Sequence, residues 1–185
     1  MRLMPRVFAC TALLLTLTPP LGAQNREGVM GDLLGDVAAV ETKIVGLAKA
    51  LSDAAYDWRP GKGVRSIREV LIHVVADNYF LPALMGVAPP AETGIDGKDY
   101  KTALTFEQRP KTRDQIIVEL EKSFTFLKQS MTDMPDASLE TPARFSTRKM
   151  TNRGMWIAAT THLHEHLGQL IAYARSNNVT PPWTK

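Results

Sequence analysis

The chain is built from four apolar-striped stretches separated by polar connectors rich in proline and glycine. Between residues 27 and 54, Met30, Leu33, Leu34, Val37, Val40, Ile44, Val45, Leu47, Ala48 and Leu51 recur at spacings of three and four, the period of one helix face. Gly31, Gly35 and Gly46 interrupt this helix, each at about 1 kcal/mol against alanine, a cost that close packing against a neighbouring helix would explain. A second helix is predicted from Ser66 to Leu81, or as far as Met85. Ser66 and Glu69 have the spacing of a capping box, in which each side chain bonds the other's backbone N–H. Val70, Leu71, Ile72, Val74, Val75, Ala76, Phe80 and Leu81 leave it apolar on nearly every side, as a buried helix is. His73 and Asp77 are therefore polar groups with little room. Pro82 is expected to end or kink the helix.

The third helix starts at Thr112, with Gln115 as its capping-box partner. Ile116, Ile117, Leu120, Phe124, Leu127 and Met131 form its stripe, Glu119, Glu121, Lys122 and Lys128 its solvated side, and Pro135 its end. The fourth covers roughly 151–177, stops at Asn177-Asn178 and leads into an extended tail at Thr180-Pro181-Pro182-Trp183. Residues 56–65 and 135–150 are polar connectors. Residues 86–110, with Pro89-Pro90, Gly94 and Gly97, are longer than most connections in compact domains and are read as irregular chain covering one mouth of the molecule. Neither an internal repeat nor strand alternation is visible. The fold class is all-α, a four-helix bundle.

The N-terminus does not belong to that fold. Arg2 and Arg6 precede an apolar run from Phe8 to Leu17, Pro19-Pro20 break it, and Ala23 offers a cleavage point. Residues 1–23 are read as a cleavable signal peptide, leaving a single domain over 24–185 that is exported, periplasmic or secreted. Cleavage removes Cys10, the chain's one cysteine, so no disulfide is expected. It also removes two basic residues and no acidic one, taking the formal charge from +3 to +1. The basic balance is then no argument for nucleic acid. No other stretch is long and apolar enough to cross a membrane, so neither a nucleic-acid nor a membrane partner is expected of the mature chain.

Three of the four histidines fall in the run His162-Leu163-His164-Glu165-His166. On a wheel of about 100° per residue, His162 and His166 lie one turn apart on one flank of the core stripe, and Gln169 and Tyr173 continue their row. His164 falls on the opposite flank, and Glu165 points away from the core. Residues four apart have Cβ atoms about 5–6 Å apart, close enough for two imidazoles to share one cation. His73 shares a row with Asp77 on the second helix and can complete a three-histidine set. Such a set with an open position suits catalytic zinc, and imidazole also suits nickel, copper or iron. Spacing alone leaves open that the pair is merely exposed and that His73 is a hydrogen-bonded core residue. Asp77 is a candidate group behind the ligands or a base, and equally a surface carboxylate. Gln169 is a candidate hydrogen-bond partner near the metal, or an amide that the interior tolerates. Trp156 and Tyr173 are read as core aromatics.

Rival motifs fare worse. His162-x-x-Glu165-His166 matches the H-x-x-E-H pattern of certain metallopeptidases, but that pattern needs a further carboxylate downstream. Only 19 residues follow His166, and none is Asp or Glu. No G-x-S-x-G elbow, P-loop or Rossmann fingerprint occurs.

The segments Trp58-Arg59-Pro60 to Arg65-Ser66, Glu69-Val70-Leu71-Ile72-His73, His162 through Leu170 and Tyr173-Ala174-Arg175 resemble the DinB-like (DinB/YfiT) family of small helical proteins. The resemblance covers essentially the whole mature chain. It implies an up-down-down-up four-helix bundle, frequently a homodimer. It also implies a divalent transition metal, zinc or nickel, held by His73, His162 and His166. Characterised relatives include metal-dependent transferases and isomerases that use small thiols. The leader peptide is a departure, since an exported protein lacks that thiol pool. The expected function is therefore a metal-dependent hydrolase acting on an unknown small molecule. The alternatives are a thiol transferase or isomerase and a non-catalytic metal-binding or small-ligand-binding bundle.

Overall fold

A computed structural model describes residues 27–184; the predicted signal peptide lies outside them. Four long helices carry the fold: α1 (Gly28–Ala50), α2 (Ile67–Ala83), α4 (Arg113–Asp133) and α5 (Asn152–Ser176). A short helix α3 (Tyr100–Glu107) and a two-stranded hairpin, β1 (Pro142–Phe145) with β2 (Arg148–Thr151), fill two of the connections.

The helix starts follow the caps. Ser66 Oγ accepts from the Glu69 N–H at 3.2 Å while Glu69 Oε2 accepts from the Ser66 N–H at 2.7 Å. Thr112 and Gln115 repeat the arrangement at 3.3 and 2.8 Å. Both boxes satisfy N–H groups that a helix start leaves unpaired. Pro82 lies in the last turn of α2, where the helix is already ending.

Each long helix buries one stripe, except α2, which is buried along nearly its whole circumference. It is the most enclosed helix because it packs on α4 and α5 and is covered by α3. Helix α1 also packs on α4 and α5, so α1 and α2 occupy opposite corners of the bundle. Pairs of residues across the contacts give the directions. Lys49–Glu121 and the bonds from Arg113 to the Lys49 and Leu51 carbonyls run α4 antiparallel to α1. Asn78–Ser123 and Arg68–Lys111 set α4 parallel to α2, and the packing of His73 on His166 with Asp77 beside His162 sets α5 antiparallel to α2. The topology is up-down-down-up. Of the α1 glycines, Gly46 faces Pro182 of the tail, whereas Gly35 faces open space. Close packing thus accounts for Gly46 alone of these two, and its neighbour is the tail rather than a helix.

Two connectors differ from the sequence reading. The 86–110 segment contains α3, begun by Asp99, whose carboxylate accepts from the Lys101 N–H at 3.0 Å. The 135–150 segment contains the hairpin, with Phe145 opposite Arg148 and a turn made possible by Ser146 at φ 57°. Four-residue strands rich in arginine and lysine show no alternation to detect, and the turn lacks the Asn-Gly type signal.

Candidate metal centre

The site is assembled from one helix that buries its histidine and one that presents two. His73 sits in the middle of α2, 5% exposed. His162 and His166 are one turn apart on α5, partly buried. Each of the three offers a ring nitrogen within 4.8 Å of the other two. The rings meet edge to face, with centroids 4.4 Å apart for His162–His166, 4.9 Å for His73–His166 and 5.2 Å for His73–His162. Three imidazoles held this closely on two rigid helices could converge on one ion.

The far sides of two of the three rings are organised too. His73 Nδ1 lies 2.8 Å from Glu107 Oε1, so the carboxylate fixes the proton on Nδ1 and leaves the Nε2 lone pair for the interior. His166 Nδ1 lies 2.9 Å from Gln169 Oε1, and the Gln169 amide donates onward to Tyr173 Oη at 2.9 Å. The oxygen of Gln169 therefore faces the ring, which donates from Nδ1 and keeps Nε2 free. Tyr173 is in turn packed edge-on by Trp58, 5.3 Å between centroids.

Asp77, one turn beyond His73, is 7% exposed. Its Oδ2 lies 2.9 Å from His162 Nε2 and 3.5 Å from His73 Nε2. The closer contact is out of line for a hydrogen bond. His162 Nε2, His166 Nε2 and Asp77 Oδ1 are all buried with no hydrogen-bond partner among the described residues. Unpaired buried polar atoms each cost about 1–3 kcal/mol, and three at one point fit a cation-binding function. The donor set, three imidazoles with an adjoining carboxylate, suits a divalent transition ion. Burial is the main cause that lowers the His166 pKa from 6.5 to about 4, with the neighbouring His162 and His73 pushing the same way against the Gln169 bond. His166 is thus held as the neutral imidazole that ligation requires.

Above the histidines is a cavity of about 450 Å³, floored by His73, Asp77 and His162. Tyr100 of α3 and Phe145 and Arg148 of the hairpin also line it. Burial, aided by the charges of Asp77 and Glu107, raises the Tyr100 pKa, so its hydroxyl keeps its proton. Of the residues singled out from sequence, the structure brings His73, His162, His166, Asp77 and Gln169 together. His164 is elsewhere, 2.8 Å from Asp36 of α1. Glu165 is exposed on the rim, 3.9 Å from His162 Nδ1. Trp156 is fully buried, with its ring N–H on Met134 Sδ. Glu107 and the hairpin were not foreseen. An N-capping Asp99 with Ala103 and Phe106 three apart was the available sign of α3.

A family model described as DinB superfamily matches residues 37–170. Among solved structures, a DinB-like protein from Bacillus cereus ATCC 10987 superposes with a TM-score of 0.67 at 19% identity, covering 85% of this chain and 97% of that one. A DinB-like protein from Bacillus subtilis does so with a TM-score of 0.62 at 17% identity, covering 80% and 93%. At such identities the likeness concerns the fold. No curated protein matches the sequence.

Proposed function

Because the chain belongs to the DinB superfamily, we propose that it is an exported metal-dependent hydrolase of a small molecule, with His73, His162 and His166 holding a divalent transition ion. The observation that carries this reading is the set of buried, unpartnered nitrogens of His162 and His166 and oxygen of Asp77, with His162 and Asp77 lining an open cavity. A bound divalent ion supplies Lewis-acid chemistry, polarising an oxygen or acidifying water. The side chains supply the rest. Glu107 and Gln169 keep the Nδ1 protons of His73 and His166 in place, so both rings present lone pairs inward. Asp77 Oδ1, buried and unpaired, is placed to take a proton at the cavity floor. Leu81 and Met155 add apolar side chains to the lining of the same cavity. Export is supported by the Arg2/Arg6 and Phe8–Leu17 pattern at the N-terminus.

The test is a panel of esters, amides and thiol acceptors assayed with protein of graded metal content. Ester or amide turnover that rises with metal content supports the hydrolase. Turnover confined to thiol acceptors identifies a transferase. Stoichiometric metal with no turnover identifies a binding bundle.

A further inference from the structure

The cavity walls carry a chemistry that the metal ligands do not use. Tyr100 and Phe145 are 42% and 41% exposed, large aromatic side chains left uncovered at the same opening. Phe145 stands opposite Arg148 in the hairpin register, so an apolar face and a cation adjoin at the hairpin tip. Arg148 makes no ion pair among the described residues. Arg65, which also lines the cavity, reaches Glu107 only at 3.5 Å. By contrast, Arg59, Arg68, Arg113 and Arg153 approach their acids at 3.1, 2.7, 2.9 and 2.8 Å. Other arginines also lack a close acid among the described residues, but Arg65 and Arg148 are the two that line this cavity. The two acids at the same opening equal them in number, but Asp77 faces the imidazoles and Glu165 is 76% exposed beside His162. With a divalent ion on the triad, the opening carries a surplus of positive charge.

Building on the function proposed above, we propose that the substrate is a small carboxylate with an aryl or alkyl body. Arg148 and Arg65 hold the acid group, and Tyr100, Phe145 and Met150 hold the body. A guanidinium's planar fork matches a carboxylate's two oxygens, and the aromatic walls account for the apolar part. The reacting bond then lies between the arginines and the histidines.

The test compares binding of 4-phenylbutyrate with its neutral isostere 4-phenylbutanamide, by calorimetry, to protein whose zinc content has been measured and to the same protein stripped of metal. The expected result is a preference for the acid of roughly tenfold or more, the scale of one charge-assisted pair. Arg148→Ala with Arg65→Ala should erase it and Arg148→Lys should keep part of it. Unfolding curves check that the variants fold; both positions are surface-exposed or nearly so. Equal affinity for the two probes overturns the proposal. So does a preference that survives the double substitution and vanishes with the metal, because the acid is then a metal ligand. Failure to bind zinc at all is read separately, from the metal content, and counts against the triad instead.

Discussion

His73 and Glu107 are joined Nδ1 to Oε1 at 2.8 Å across 34 residues of sequence, from the middle of α2 to the last residue of α3. This bond makes the short helix part of the candidate metal site. Arg65, from the loop before α2, lies 3.5 Å from the other oxygen of Glu107.

Replacing Glu107 with alanine frees the His73 ring to change tautomer and rotate. Metal affinity should fall roughly 10–100-fold, as for other carboxylates behind a ligating histidine, while Glu107→Gln keeps part of it. Competition with a chromophoric chelator measures this. Unchanged affinity in Glu107→Ala would mean that the bond does not orient the ligand.

Gly97 seats the loop before α3 on the end of α2. A Cβ there would be driven into the Ala83 carbonyl, and backbone cannot swing aside as a side chain does. Gly97→Ala should cost about 1–3 kcal/mol, the range for overpacking, and weaken metal binding through displaced Glu107. Chemical denaturation and the chelator titration test the two effects together. A variant as stable as wild type would show that the close approach is not maintained.

His164→Ala should leave metal content unchanged, since its partner is Asp36 of α1. Both side chains are nearly half exposed, so the pair is worth about 0–1 kcal/mol. Metal loss equal to that of His166→Ala would place His164 among the ligands.

Burial raises the Tyr56 pKa from 10.0 to about 12, against the pull of Arg113 and Arg68, and its hydroxyl donates to the Ala48 carbonyl at 2.8 Å. Tyr79 is raised to about 12 as well, again by burial. The native state holds these protons where the unfolded chain releases them. Their contribution is therefore complete below about pH 10 and lost as pH rises through about 12. Tyr56→Phe should cost about 1 kcal/mol at neutral pH for the lost bond, yet show a shallower alkaline decline, with the part due to Tyr79 remaining. Urea midpoints across that range decide it, and an unchanged alkaline slope would contradict the assignment.

Helix positions were legible because a capping box and a three-to-four apolar period act locally, as at Ser66–Glu69 and along Ile116 to Met131. The pairing of His162 with His166, and the separation of His164, likewise follow from helix geometry within α5. What joins His73 to them is tertiary packing, which spacing leaves open and the family resemblance supplied. Glu107 was hidden because α3 has only eight residues and two buried side chains, Ala103 and Phe106, too little pattern to outweigh the prolines and glycines before it. The hairpin was hidden because Arg144, Arg148 and Lys149 are spaced like a solvated connector, and only its partner strand makes it a wall of the cavity.

The central claim is that three histidines from two helices hold one ion. Elemental analysis of protein purified without chelators, with His73→Ala and His166→Ala alongside, tests it most directly. The prediction is about one divalent transition ion per chain in wild type, as for a three-histidine site, with loss in both variants while their helical content is retained. Wild-type protein free of stoichiometric metal, or variants that keep it, would contradict the claim.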